Sequence, residues 1–223
     1  MEMAGAEQIE ELVEIMEDAA RNVQKKEWFA AGDRACLLDA LLGNSFVILA
    51  RERERREAAG FFAVLFPEEK EEYMAEYTAL SEQEREHMVY MDTAAVKKVF
   101  CGNGLQRKML EAAEEALKKR GDLSQWYCLC TVHPDNRFSL KNMQGAGYEI
   151  LAEAELYGGL PRLILGKKLK TRREKDRKGL SFRKLYDIQG SREPFGSPES
   201  VCEVHLPALP EMRDYPQGEP RPP

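Results

Sequence analysis

A chain of 223 residues that is 43% hydrophobic and 32% charged has the balance of a folded globular protein rather than a disordered or fibrous one. Its formal net charge of -6 speaks against general nucleic-acid binding, which rests on neutralising phosphates with clustered Lys and Arg, and favours a small-molecule ligand. The cysteines, Cys36, Cys101, Cys128, Cys130 and Cys202, are scattered and form no CxxC pair, which suggests neither a disulfide framework nor a metal site.

Met1 opens an acidic, amphipathic segment with no basic start or apolar core, and no stretch is apolar for the ~18 residues a membrane span needs. The expectation is a cytoplasmic protein with no membrane contact. Ile9, Leu12, Val13, Met16, Ala19, Ala20 and Val23 recur at three- and four-residue steps and predict an amphipathic helix lying on a sheet. A second helix is expected from an N-cap at Asp33 to Leu42, stopped by Gly43 and Asn44. SFVILA from Ser45 and GFFAVLF from Gly60, joined by the charged RERERREAA, read as an antiparallel hairpin.

Residues 68–87 are strongly acidic and helix-forming, either a solvated surface segment or an acidic rim that attracts a cationic substrate. MVYMDTAAV then reads as a strand that leads into VFCGNGLQRKML. There Leu105, Met109, Leu110, Ala113 and Leu117 form the buried stripe of a helix running to about Arg120 and capped at Gly121. WYCLCTVH is a further strand with Cys128 and Cys130 on one side. PDNRFSLKNMQGAG is a short helix closed by Gly145 and Gly147, and YEILAEAELY and LPRLILGKKL are two last strands. The order helix, helix, hairpin, strand, helix, strand, helix, strand, strand describes a mixed α/β layer rather than a regular doubly wound sheet.

A strand, a glycine turn and a helix N-terminus together make an anion site, because free backbone N–H groups and the positive end of the helix dipole point at one spot. The dinucleotide fingerprint GxGxxG would need glycine where Arg107 stands, and the Walker A pattern is missing. VxxxxCGNGLQ from Val96 followed by TVHPDNRFSLKNMQGAGYEI from Thr131 resembles the GNAT superfamily of acetyl-CoA-dependent N-acetyltransferases. That superfamily carries a V-x-P-x-x-R-G-x-G-x-G/A turn and then a helix, a strand, an Asn-initiated helix and a glycine-aromatic pair. Val96, Gly102, Gly104, Asn136, Gly147 and Tyr148 occupy matching positions, and the likeness covers residues 6–169 in element order, with its motifs in 88–169.

The resemblance implies a mostly antiparallel central sheet with helices on both faces and two parallel strands that splay apart to admit the cofactor. It implies that the turn Cys101, Gly102, Asn103, Gly104, Leu105 and Gln106 holds the coenzyme A pyrophosphate. Val96 would meet the pantetheine arm through its backbone, and Asn136, Ser139 and Asn142 would contact it from the later helix. The family's Arg is Cys101 here, and Lys97, Lys98, Arg107 or Lys108 either replaces its charge or is solvated. Met143 stands where many members place the Tyr that protonates the thiolate; Tyr148 and Tyr157 are the nearby candidates, each with a packing role as its alternative.

Acetyl transfer needs a neutral amine, an oxyanion donor and a base. Asp92 sits in an apolar run, where burial would raise its pKa, and strict alternation puts it on the face of Ala94 and Val96. Its alternative role is to cap a turn. His133, beside Pro134, either shapes that turn or relays protons through water, and His87 and His205 read as surface residues. The expected domain is 1–169. Residues 170–223 are a basic and then Pro-rich extension that reads as mobile, although VCEVHL from Val201 could add as an edge strand.

The first reading is therefore an acetyl-CoA-dependent N-acetyltransferase for a small primary amine, cationic where the acidic segment acts as a rim, with no metal. The alternative is a non-catalytic, regulatory acyl-CoA-binding module of the same fold. A homodimer is compatible with the resemblance.

Overall fold

The computed structural model describes residues 1–67, 74–120 and 125–170. Two-residue β1 (Glu2–Met3) precedes helix α1 (Ile9–Asn22) and helix α2 (Arg34–Leu42). Strands β2 (Phe46–Arg51) and β3 (Ala58–Leu65) form the hairpin, and the short helix α3 (Glu82–Arg85) leads into β4 (Met88–Val96). Helix α4 (Leu105–Arg120), β5 (Gln125–Val132), α5 (Arg137–Gly145), β6 (Glu149–Leu156) and β7 (Leu160–Lys170) complete the order. The strands make one sheet, ordered β1-β2-β3-β4-β5-β7-β6, antiparallel except where β4 meets β5.

That parallel pair is short. Met88, Val89 and Tyr90 pair with Tyr127, Cys128 and Leu129, and beyond them the two strands part. A β-bulge adds to the opening: Phe62 faces Ala94 while Val64 faces Met91, so β4 carries one extra residue at Asp92 and Thr93. The bulge resets the alternation, and Val89, Met91, Ala94 and Val96 all join the core under α4 and α5.

Apolar periodicity fixes the layers. On one face Met109, Leu110, Ala113 and Leu117 of α4 are fully buried against Phe62, Val64, Met91, Cys128 and Cys130. On the other face α1 and α2 cover Val47, Leu49, Phe61, Ala63 and Ala95. In α1 the buried line is Ile9, Leu12 and Ile15, with Val13, Met16 and Ala19 partly buried and Ala20 exposed. Ile15, which the expected stripe lacks, thus belongs to the buried line where α1 packs on β3 and β4, and Ala20, which it included, is exposed.

Local signals act where expected. Asp33 caps α2 by accepting the Cys36 N–H at 3.0 Å. Asn136 caps α5 by accepting from Ser139 N at 3.2 Å, and Tyr148 N returns to Met143 O at 3.1 Å to close that helix. Within the acidic segment, Met74 and Ala75 are buried against Met88, Tyr90, Tyr127 and Leu129, so this part covers the sheet rather than floating on it. β1, only two residues long, pairs antiparallel with β2 at Leu49 and Ile48, and charge adds to the backbone ladder: Arg51 Nε donates to Glu2 at 2.6 Å, and the guanidinium also binds Glu11 at 2.8 Å. Among the described residues no helix is long and apolar enough to cross a membrane. Gly121, Cys202, His205, the VCEVHL segment and nearly all of the expected C-terminal extension lie outside the described residues.

Candidate active site

Where β4 and β5 part, a cleft of about 630 Å³ opens through the sheet, a size suited to a small-molecule ligand. Of the residues expected to hold coenzyme A, Val96, Cys101, Gly102, Gly104, Leu105, Gln106, Asn136, Ser139 and Asn142 line it. Asn103 does not: its side-chain amide donates to Phe100 O at 3.1 Å and its carbonyl accepts from Lys108 Nζ at 3.2 Å, so it shapes the turn from outside.

The turn after β4 leaves open space at the start of α4. Gly102 and Gly104 have φ of 84° and 68°, and a Cβ added to either would meet no atom within 4 Å. The positive φ favours glycine, and the space the missing side chains leave belongs to the cleft. Phe100 N and Cys101 N donate back to Lys97 O and Lys98 O, and Lys108 N makes the first helical bond, to Gly104 O. The N–H groups between them open α4, whose first-turn donors have no acceptor within the helix. Asn142 adds a buried amide Nδ2 with no acceptor.

The basic residues around this turn sort themselves by partner. Lys97 is buried and donates to Glu14 at 2.9 Å, and Lys108 is bound to Asn103. Arg107 reaches across to α5, donating to Asn142 Oδ1 at 3.1 Å and to Asn142 O at 2.6 Å. Lys98 lines the cleft, is anchored by its backbone N–H to Asp18 at 2.6 Å, and has no ion pair among the described residues. Cys101 turns its thiol toward the Val96 and Lys97 carbonyls, at 3.8 and 3.6 Å.

Asp92 lies in the cleft, but the bulge and not strand alternation takes it there, which corrects the expected shared face with Ala94 and Val96. Its carboxyl is accessible from the cleft while protein surrounds the rest of it, and this desolvation pushes its pKa up, against a Thr93 hydroxyl that donates at 2.7 Å. His133 is buried, and its Nδ1 accepts the Asp135 N–H at 3.1 Å, so it braces the turn before α5 while lining the cleft.

The two tyrosines separate. Tyr148 is 2% exposed in the core beside Cys128, lines no part of the cleft, and has its hydroxyl pKa driven up by burial, so it packs rather than donates protons. Tyr157 lines the cleft with its hydroxyl 3.0 Å from Thr131 Oγ1. Its φ of 53°, followed by Gly158 and Gly159 at 81° and 97°, folds the β6–β7 turn so that the ring projects there.

Sequence reasoning missed the opposite mouth of the cleft, made by Trp28 and Phe29 between α1 and α2, Thr131 of β5 and Arg162 of β7. A signal existed for Arg162, a charge inside the apolar run LPRLILG, as Asp92 is inside MVYMDTAAV. Among the described residues no group of three or more His, Cys, Asp or Glu side chains is placed to hold a metal ion.

No protein-family model matches the chain, and no curated protein is significantly similar to it. Solved structures are. An acetyltransferase of the GNAT family from Streptococcus agalactiae superposes with a TM-score of 0.58 at 19% identity, over 77% of this chain and 94% of that one. The ribosomal-protein-S18-alanine N-acetyltransferase from Escherichia coli gives 0.57 at 12% identity, over 78% and 95%. A putative acetyltransferase from Salmonella typhimurium, solved with its cofactor acetyl-CoA, gives 0.53 at 16%, over 77% and 94%. With its splayed β4–β5 pair and glycine turn at the mouth of α4, the chain has the fold of the GNAT acetyltransferases.

Proposed function

We propose that the chain is an acetyl-CoA-dependent N-acetyltransferase that acts on a primary amine by direct attack while both substrates are bound. The observation that carries this reading is the cleft itself. It joins a positive-φ glycine turn at a helix N-terminus on one side of the sheet to a desolvated carboxylate, Asp92, in the gap between the splayed strands.

Acetyl-CoA, when bound, supplies an acyl carbon activated as a thioester. The N–H groups from Gly102 to Gln106 would accept its pyrophosphate, and Lys98 takes the place of the missing family Arg as the nearby cation. The unpartnered Nδ2 of Asn142 suits an amide carbonyl such as those of the pantetheine arm. Asp92 takes the proton from the acceptor nitrogen, its raised pKa bringing it nearer the working range of a base. Tyr157, the one of the two candidate tyrosines in the cleft, supplies a proton to the departing sulfur.

Calorimetric titration with acetyl-CoA, with coenzyme A and NADH as comparisons, tests the phosphate turn, and thiol release with a panel of primary amines tests turnover. Binding of the two coenzyme A species and amine-dependent thiol release are expected. Binding with no release by any amine would make the chain an acyl-CoA-binding module, and no binding would leave only the fold.

A further inference from the structure

Two donors at the far mouth of the cleft have no acceptor. Arg162 is 3% exposed, yet its Nη1 has no hydrogen-bond partner, and it has no ion pair among the described residues. The indole Nε1 of Trp28 is likewise buried and unpartnered. They are neighbours, because Arg162 Nη2 donates to the carbonyl of Glu27 at 2.8 Å, and both residues line the cleft. The guanidinium also stands over the Tyr157 ring, 5.4 Å from its centroid, and burial lowers its pKa.

A buried guanidinium without a counter-charge is costly, and a site keeps one where a ligand completes it. The nearby Lys25 cannot supply the missing negative charge, and its own ammonium is already paired with Asp135 at 2.9 Å. Strand pleat places this pair relative to the phosphate turn. Leu163 and Leu165 of β7 point to the α4 and α5 side, so Arg162 points to the opposite side, where Glu27 and Trp28 lie between α1 and α2. Two unpaired donors, one cationic, fit the two oxygens of a carboxylate.

We propose that Arg162 and Trp28 form a carboxylate-binding subsite, so that the amine acetylated here belongs to a molecule that also carries a carboxylate, as a free amino acid does. This rests on the acetyltransferase reading and replaces the expectation of a purely cationic acceptor.

The chain contains two tryptophans, and the second is a built-in reference, since Trp126 Nε1 is already bonded to Leu117 O at 3.1 Å. In a ¹⁵N-labelled sample with coenzyme A present, the N-acetyl derivatives of the primary α-amino acids with uncharged side chains are each titrated beside their primary amides, which lack the carboxylate. A saturable movement of the Trp28 indole resonance with at least one acid and not its amide, with Trp126 still, is expected. Thiol release should favour the free amino acids over their amides by roughly ten- to a hundredfold, and Arg162→Gln should erase that preference while leaving coenzyme A affinity unchanged. Trp28→Phe, which removes only the N–H and keeps a ring, should weaken the preference if Arg162→Gln fails to fold. Equal response of acids and amides in the titration overturns the subsite. Absence of thiol release with every amine overturns the acetyltransferase reading instead, and the titration then still decides whether a carboxylate binds.

Discussion

Gly104→Ala separates the two consequences of a glycine at this turn. At a φ of 68° a residue bearing a Cβ costs ~1–2 kcal/mol of backbone strain, and no protein atom within 4 Å adds a clash. Against a typical stability of about 5–15 kcal/mol the fold survives, with a melting temperature lowered by roughly 2–4 °C for each kcal/mol in a domain of this size. The new methyl instead occupies the space into which the first N–H groups of α4 point. Loss of one hydrogen bond to a charged phosphate costs about 1.5–3 kcal/mol, which is roughly a ten- to 150-fold weaker coenzyme A affinity. Gly158→Ala is the matched comparison: its φ of 81° is equally unfavourable and its surroundings equally open, but it lies in the β6–β7 turn and does not line the cleft. Calorimetry and thermal melts on both variants decide the matter. Similar melting shifts with an affinity loss confined to Gly104→Ala are expected; unchanged affinity in Gly104→Ala would refute the phosphate assignment, and equal losses in both variants would reduce the effect to strain.

Asp92→Asn should lower turnover by roughly 10²- to 10⁴-fold with coenzyme A affinity retained, and a variant with normal rates and pH profile would remove Asp92 as the base. Because burial raises its pKa, the wild-type rate should fall as acid protonates Asp92 at a pH above the ordinary 3.8 of an aspartate, and this limb should vanish in the variant. Tyr157→Phe should reduce kcat at unchanged coenzyme A affinity, whereas Tyr148→Phe should leave kcat unaltered; a reversed pattern in steady-state thiol release would contradict the placement of the two rings. Glu84 carries the acid-stability prediction. The Tyr127 hydroxyl at 2.6 Å, the Ser81 N–H and Lys168 hold its carboxyl down at about 2, below the ordinary 4.5. A depressed carboxylate stabilises the fold above its unfolded pKa and loses that contribution as pH falls through the folded value. Melting temperatures of wild type and Glu84→Gln should therefore differ near neutrality and converge between pH 4.5 and about 2, and a gap that persists at the acid end would contradict this.

Much of the fold was legible because its signals are local. Asp33 and Asn136 announce helix starts through short polar side chains, and the α4 stripe repeats with the helical period. The glycine turn was legible because few residues tolerate its φ and because spacing excluded the nucleotide fingerprints. What escaped depends on partners distant in sequence. β1 pairs with Ile48 and Leu49 of β2, and its Glu2 is bound by Arg51, 49 residues away, so nothing local in its two residues signals a strand. The bulge at Asp92 and Thr93 is a mismatch in length between β3 and β4, so a reading of β4 alone assigns strict alternation and the wrong face. Trp28 sits in a connection with no periodic pattern, and the neighbouring Glu27 carbonyl that accepts from Arg162 is 135 residues from that guanidinium.

The departures from the family motif look different once the side chains are in place. Cys101 in place of Arg removes a cation from the glycine turn, but the backbone donors there do not depend on side-chain identity, and Lys98 stays in the lining with its ammonium uncommitted among the described residues. Arg107, the nearest alternative, is bound into Asn142 and holds the start of α4 to α5 across the cleft. That bridge also settles the orientation of the Asn142 amide: Oδ1 is occupied by Arg107, so Nδ2 is the group left to donate. Met143 fills the site of the family tyrosine as a buried packing residue, and the cleft instead presents the phenol of Tyr157 from the β6–β7 turn. Among the polar residues that line the cleft beyond the matched motif residues, Lys98, Tyr157 and Arg162 are each fixed by a partner that also lies outside those matched residues: Asp18, Thr131 and the Glu27 carbonyl.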